Sequence, residues 1–518
     1  MNKYLKDIFI HLDGIAMAPI YELLSSRSKT DLAFNLQDEK FYVRHKDEQQ
    51  NSSINEAYCS ILSKILQAQN ILETTPIKTN SKKYYNLTDY GKQVFSDKCS
   101  YSGFRNYYKS SIELIQNQIP LNDGHFSNAF HNAYLVYLNS TEKNGDESLI
   151  SKHIEGAIIA PILIYYKYSA PEKLPDLKNI KGEIGDFLKK IDFINKNSLT
   201  QKGEYLLSKS YAYGVTDSYM KTFIHIEDLC LNKIRGVAQK IDKDNNEYHV
   251  NRPLNVWGSG HSHSTYFKHI DSYVIDIFNK PIDKQPKGIA DMGCGDGAFL
   301  YHLNKLVKKN TLRGRYLESH PLLLIGADFN QAALDETHKM FLNNKNQPMT
   351  VLADISKPDE YAQKVLSKYS LNIKDFLNVR SFLDHNRRFD LNSQNPSLKK
   401  YDFKNKTTNV FSWRGVKINN QDIQVNLVEH LKKWKKYISK YGLLVLELHS
   451  IDIKNIYNNI GKAPMTAYIA THGFSDQFII EYEVYKECIE KAGLSINKDY
   501  EKTFPNTDIK MISINLIN

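Results

Sequence analysis

Residues 288–303 read GIADMGCGDGAFLYHL, and this stretch decides the fold. GIADM is a short apolar run that carries an acid, Asp291, near its end. The glycines after it give a tight turn, and AFLYHLNKLVKK has apolar residues at helical spacing. The pattern then repeats. LLLIGADFN (322–330) is a second strand ending near Asp328, QAALDETHKMFL a helix, and MTVLADI (349–355) a third strand ending near Asp354. DFLNVRSFLD (375–384) and YGLLVLELHS (441–450) read as the fourth and fifth strands. Continuous apolar strands alternating with helices predict a mostly parallel sheet covered on both faces. Ligands of such sheets bind at the carboxyl ends of the strands.

The acids at those ends choose the ligand. A phosphate loop wants backbone N–H groups and Lys or Arg, and the G-x-x-x-x-G-K-[ST] pattern is absent. A dinucleotide site needs G-x-G-x-x-G, whereas this loop reads G-C-G-D-G. A cationic, hydroxyl-rich ligand is called for. S-adenosylmethionine (AdoMet) has a positive ammonium and sulfonium and two ribose hydroxyls for a carboxylate.

The run D-M-G-C-G-D-G resembles motif I of the class I AdoMet-dependent methyltransferases. That resemblance implies a Rossmann-like domain with a mostly parallel seven-stranded sheet. It implies that Asp291, Gly293 and Gly295 line the methionine side of AdoMet, with Asp296 also among the cofactor-binding residues. Asp328, followed by Phe329, would take the ribose, and Asp354, followed by Ile355, the adenine. The 37 residues from Asp291 to Asp328 exceed the usual spacing of about 20. The insertion KKNTLRGRYLESHP accounts for the excess as a long connection.

The methyl acceptor should lie beyond strands four and five. VRSFLDHNRRF (379–389) brings Asp384, His385, Asn386 and Arg387, LELHS brings Glu447 and His449, and ATHGFSDQF (470–478) brings His472, Asp476 and Gln477. Two chemistries could use them. One is general-base catalysis, in which a His removes a proton from an O, N or C acceptor. The other is metal assistance, in which two His and a carboxylate leave open positions for an oxygen-ligating substrate whose enolate the metal stabilises.

A narrower resemblance bears on this choice. YFKHIDSYVIDIFNKPIDKQPKGIADMGCGDGAFL, DFLNVRSFLDHNRRF and ATHGFSDQF are similar to the methyltransferase domains in loading modules of apratoxin- and saxitoxin-type polyketide synthases. It implies an iron-dependent C-methyltransferase acting on malonyl groups held by an acyl carrier protein. Carried over, it places a mononuclear iron or manganese near His472 and Gln477. His449 and Asp384 are assigned as the remaining ligands from their position at strand ends. His385 is the candidate base or substrate-orienting group, Asn386 beside it a further catalytic candidate, and Arg387 the candidate partner of the malonyl carboxylate, since Arg suits bidentate carboxylate binding. No carrier domain with its modifiable serine is recognised, so the carrier is expected to act in trans.

The first 250 residues contain a weak duplication. HLDGIAMAPI (11–20) resembles HIEGAIIAPI (153–162), and NLTDYGKQVF (86–95) resembles SLTQKGEYLL (198–207). About 30 extra residues near 27–60 separate the two offsets. The Leu-Thr-x-x-Gly signature predicts a short strand or wing leading into a helix. The expected organisation is a mainly helical, winged-helix-like pair, 1–125 and 126–250, before the methyltransferase domain at 251–518. Within that last domain, 251–285 reads as a lid or linker, and NRPLNVWGSGHSHSTYFKHID (251–271) as an ordered loop.

Composition sets the remaining bounds. The 518 residues suggest about three domains. A net charge of +10 suits an acidic partner, although it is spread over many lysines. Five scattered cysteines without a CxxC pair argue against a disulfide framework and fit a reducing cytoplasm. With no run of 18 apolar residues, no transmembrane helix and no membrane partner are expected. Two alternatives remain. One is a metal-independent O- or N-methyltransferase of a small metabolite. The other is a DNA-binding regulator, which the lack of a basic recognition helix disfavours.

Overall fold

The computed structural model describes residues 3–25, 34–35, 40–41, 55–75, 84–95, 101–238, 247–389, 401–505 and 507–518. Cys99 and most of the insertion near 27–60 lie outside them. The chain packs as two units. The first is Met1–Ser259 with Val410–Lys417 and Ile453–Asp476, and the second is Gly260–Asn409, Ile418–Asp452 and Gln477–Asn518. The boundary expected after residue 250 thus falls after Ser259, and two later segments join the first unit. Asp13 shows what ties one of them there: its carboxylate accepts from the backbone N–H of Ala467, at 2.9 Å, in helix Met465–Gly473.

The first unit is mainly helical, and its duplication is written into its packing. Helices α1 (Lys3–Ser25) and α2 (Leu149–Ile164) press HLDG against HIEG. A Cβ at Gly14 would lie 2.2 Å from the His153 carbonyl oxygen, and one at Gly156 2.3 Å from the His11 Cα. Only glycine permits this approach, and each copy supplies one. His11 Nδ1 lies 2.8 Å from the Tyr213 hydroxyl, and the Tyr21 hydroxyl 2.9 Å from His153 Nδ1. Among the described residues two helices, Lys3–Ser25 and Leu149–Ser169, are by length and averaged hydropathy apolar enough to cross a membrane, although neither holds an unbroken apolar run of 18. They are 83% and 94% buried, as core helices are.

The Leu-Thr-x-x-Gly signature is the same device in both copies. An antiparallel hairpin (Leu72–Thr75 with Tyr84–Leu87; Ile194–Asn195 with Ser198–Leu199) turns into a helix (Asp89–Phe95; Gln201–Ser208). Thr88 and Thr200 accept from the N–H of Gly91 and Gly203, at 2.9 and 3.0 Å, as N-caps do. A Cβ at either glycine would strike the carbonyl oxygen of Ile71 or Phe193 at 2.2 or 2.1 Å. The copies differ in electrostatics. Burial pushes Asp13 up to about 8 against its backbone and Gln69 hydrogen bonds. Burial works the same way on Glu155, its counterpart, but His11, Lys202 and Lys152 outweigh it and hold that carboxyl low.

Helix α3 (Arg252–Phe267) replaces the loop expected from its Gly, Ser and His content. Its glycines mark close approaches rather than turns. A Cβ at Gly258 would lie 2.8 Å from the Tyr211 carbonyl oxygen, and one at Gly260 2.4 Å from an Asp296 carboxylate oxygen.

The second unit is built on strands β1 (Gly288–Met292), β2 (Leu323–Asp328), β3 (Met349–Leu352), β4 (Phe376–Ser381), β5 (Leu443–Leu448), β6 (Lys502–Phe504) and β7 (Ile512–Ile517). Their order is β3-β2-β1-β4-β5-β7-β6. The first five are parallel, while β7 runs antiparallel to β5 and β6 to β7. The 3-2-1-4-5 run is the doubly wound, Rossmann-like order, and the expected seven-stranded α/β fold is borne out. Ile289, Leu324, Leu377, Val379, Leu444 and Leu446 fill one face with Leu300 and Leu303 of α4 (Ala298–Asn310). Helices α5 (Gln331–Phe341), α6 (Asn420–Ile438) and α7 (Tyr482–Lys491) complete the wrapping. The long connection from α4 to β2 is pinned by buried Arg313, which donates to Gln285 Oε1 at 2.8 Å and the Pro286 carbonyl at 3.1 Å.

Candidate active site

The turn after β1 is fixed by glycine. Gly293, Gly295 and Gly297 have φ of +78°, +55° and +79°, values that disfavour any Cβ. At Gly293 a Cβ would also strike Leu383, just past β4, at 2.6 Å. The N–H groups of Gly293 and Cys294 donate to the Ala327 carbonyl at 2.7 and 3.0 Å, and that of Gly295 to Asp328 Oδ2 at 3.2 Å. The loop therefore lies across the ends of β1 and β2. Gly297, which starts α4 in the left-handed conformation, was not singled out from the sequence although it stands in the same glycine run.

Asp291 is fully buried, and neither carboxylate oxygen has a hydrogen-bond partner among the described residues. Burial, then Asp328 and Asp296, push its pKa well above the ordinary range. An orphaned buried acid beside two others suits a cationic group such as an ammonium. Asp328 Oδ1 accepts from Asn330 N–H at 3.0 Å, and Asp296 Oδ1 from Ala298 N–H at 3.0 Å. Asp354 Oδ1 accepts from Ser356 N–H at 2.8 Å, while its Oδ2 lies 3.1 Å from Arg388 Nε. Ile355 is buried, with its carbonyl taken by Trp434 Nε1–H at 3.0 Å, and Phe329 is 59% exposed. The donors and acids present fit AdoMet, for which Asp291 and the glycine turn would hold the methionine, Asp328 the ribose and Asp354 the adenine, as the resemblance implies.

Beyond β4 and β5 the structure selects among the candidates. His385, 7% exposed, holds Nδ1 at 2.6 Å from Glu447 Oε1. Glu447 is itself fixed by the N–H groups of Leu448, at 2.8 Å to Oε1, and Asp384, at 2.6 Å to Oε2. A carboxylate only accepts, so the proton sits on Nδ1 and the basic lone pair on Nε2. Asn386 beside it is exposed.

Arg387 does not take the expected role of pairing with a substrate carboxylate. It is buried, and it donates to the carbonyls of Asp384 and Ile423, at 2.9 and 3.0 Å, and to Asn426 at 2.7 Å. Its three nitrogens brace the loop instead of facing a substrate carboxylate. Burial lowers its pKa to about 10.

Two of the four expected metal ligands, Asp384 and His449, have their donor atoms taken within the fold. One Asp384 oxygen lies 2.7 Å from Arg380 and 3.3 Å from His430, and the other takes the Tyr485 hydroxyl at 2.6 Å. His449 is buried with its nitrogens at the Ser513 hydroxyl, 2.7 Å, and the Ile480 carbonyl, 3.3 Å. Burial holds its pKa down to about 3. His472 holds Nδ1 at 2.7 Å from the Tyr468 carbonyl. Among the described residues no group of three or more His, Cys, Asp or Glu is placed to hold a metal.

A doubly wound sheet with a glycine turn and acids at the first three strand ends defines a class I, AdoMet-dependent methyltransferase. Residues 247–515 match the family described as the AprA MT2-like domain, which is half of the chain, and the chain belongs to that methyltransferase family. No curated protein matches it. Solved structures with similar folds include an O-methyltransferase family protein from Burkholderia thailandensis (10% identity, 74% of this chain and 96% of that one, TM-score 0.39). The mitomycin 7-O-methyltransferase MmcR (8%, 83% and 98%, 0.37) and the CurJ carbon methyltransferase (10%, 80% and 98%, 0.30) are others. Likenesses this distant decide neither the substrate nor the acceptor atom.

Proposed function

We propose that the chain methylates the α-carbon of a malonyl or related acyl group presented by an acyl carrier protein, with His385 as the base. The observation that carries this reading is the buried His385–Glu447 pair, 2.6 Å apart, at the carboxyl ends of β4 and β5. Bound AdoMet would supply an electrophilic methyl group. His385 Nε2 takes the α-proton, the electron pair left on carbon forms a bond to the methyl group as the methyl–sulfur bond breaks and its pair returns to sulfur, leaving S-adenosylhomocysteine, and Glu447 balances the imidazolium that forms. Asp384 serves this chemistry from behind, its backbone N–H fixing Glu447 and its side chain tied to Arg380 and Tyr485.

Iron takes no part in this scheme, because Asp384 and His449 spend their donor atoms inside the fold. The same pair could deprotonate oxygen or nitrogen, so the acceptor must be read from the product. Malonyl-carrier protein, AdoMet and enzyme are incubated, and the acyl product is sequenced by fragment masses. Methyl on carbon, lost in His385→Ala, supports the reading. No turnover of the carrier together with methylation of an oxygen or nitrogen in a small metabolite would replace it.

A further inference from the structure

The outer edge of the sheet carries a feature that methyl transfer itself does not use. Beside β6 lies a groove of about 400 Å3 walled by Lys498, Lys502 and Lys510, with Glu501, His269 and Phe504. Lys498 pairs with Glu501 and Lys510 with Glu483, each at 2.7 Å. Lys502 differs: its ammonium donates to the His269 carbonyl at 2.6 Å and meets no carboxylate among the described residues. A neutral carbonyl satisfies a hydrogen bond and leaves the charge in place. The groove therefore presents an unneutralised cation between two neutralised ones, which is a field for an anion.

A strip of partly exposed rings leads from this groove to the base. The His269 and Phe504 rings lie 4.7 Å apart, Phe504 and Tyr266 5.2 Å, and Tyr266 and Phe382 6.5 Å. Phe382 then stacks on His263 at 3.8 Å. Register fixes the level of the strip: Phe504 pairs with Ile512, and Ile512 with Leu448, the residue after Glu447. Phe382 is three residues before His385 and has φ +54°, a conformation that a non-glycine residue holds only when its surroundings enforce it. Burial holds the His263 pKa down to about 3, with His385 a smaller cause in the same direction.

We propose that the lysine groove seats the phosphate of a pantetheine-type arm and that the ring strip guides the arm to His385. This rests on the carrier reading above and adds the place where the arm binds. A phosphodiester supplies the anion that Lys502 lacks, and the amide chain behind it can lie along ring faces. Coenzyme A shares this chemistry with a carrier-bound arm, so the test separates the two.

Free 4′-phosphopantetheine and pantetheine are titrated into the full-length protein saturated with S-adenosylhomocysteine. The phosphate is expected to tighten binding about tenfold, the worth of one charge-assisted hydrogen bond. Lys502→Glu should abolish that difference and leave pantetheine binding unchanged. Lys502→Gln gives the same reading if charge reversal lowers the melting temperature. Equal binding of the two compounds by the wild-type chain, or a difference that survives both substitutions, overturns the proposal.

Kinetics then use malonyl-carrier protein, malonyl-coenzyme A and the malonyl thioester of N-acetylcysteamine, which lacks phosphate. KM for the carrier should rise in Lys502→Glu with kcat held, and the truncated thioester should be unaffected. Equal losses on the truncated thioester overturn the proposal, and a rise for coenzyme A alone overturns the carrier as the source. If the wild-type chain methylates none of the three, the carrier reading has failed, and the titration alone judges the groove.

Discussion

Glu447→Gln tests the proposed base with one atom changed. Glu447 accepts three hydrogen bonds, two at Oε1 (His385 Nδ1 and Leu448 N–H) and one at Oε2 (Asp384 N–H). The amide can place oxygen on only one side. With oxygen toward His385, the NH2 faces the Asp384 N–H in a buried site, and an unsatisfied buried donor costs about 1–3 kcal/mol. With the amide reversed, NH2 donates to His385 Nδ1, which moves the ring proton to Nε2 and removes the basic lone pair. The first arrangement weakens the fold and removes the counter-charge of the imidazolium, and the second disables the base. Turnover should fall about 10²–10⁴-fold, the share a general base contributes. Single-turnover methylation followed by mass spectrometry reads the rate. S-adenosylhomocysteine titration should show unchanged cofactor affinity, since Glu447 accepts from none of the glycine-loop groups. A variant that turns over within about twofold of wild type, with cofactor binding intact, refutes the role assigned to the pair.

Further outcomes follow from the same contacts. Dialysis against a chelator is expected to leave methyl transfer intact; a loss restored by iron or manganese would return Asp384 and His449 to the ligand role. Asp384→Asn should destabilise the chain by about 3–5 kcal/mol in denaturant melts, because it strands Arg380 without its buried partner. Gly14→Ala should cost about 1–3 kcal/mol through the crowded helix crossing, read as a lower melting temperature. Asp13 makes stability depend on pH with a definite sign. Its folded pKa, about 8, lies above the unfolded value, so raising pH from about 4 to about 8 strips the proton from the unfolded chain first. That contribution to stability falls across this window, and Asp13→Asn should flatten the slope.

The α/β core was legible because its signals are local. Five apolar runs with acids at three of their ends, and glycines between the first strand and its helix, announce the sheet and its ligand without reference to distant residues. The histidines misled because sequence shows a side chain's type and not its partners. His449 and Asp384 stand at the correct strand ends, yet Ser513, Arg380 and Tyr485, which occupy their donor atoms, come from elsewhere in the chain or across a face. Gly258 and Gly260 read as loop residues for the same reason, since glycine marks close packing as well as turns. The His385–Glu447 pair was half legible: the sequence put both residues beyond adjacent strands and named His385, while only the geometry joined them.

The crossing of α1 with α2 also sets a schedule for synthesis. Gly14 needs the backbone at His153, about 140 residues later, and at about 5–20 residues per second that partner emerges some 7–28 seconds after it. Asp13 waits longer, because the N–H it accepts belongs to Ala467. Helix α1 thus stays without its packing partner until α2 has been made, and Asp13 without its donor for 454 residues, which leaves an apolar segment open to a chaperone in the interval.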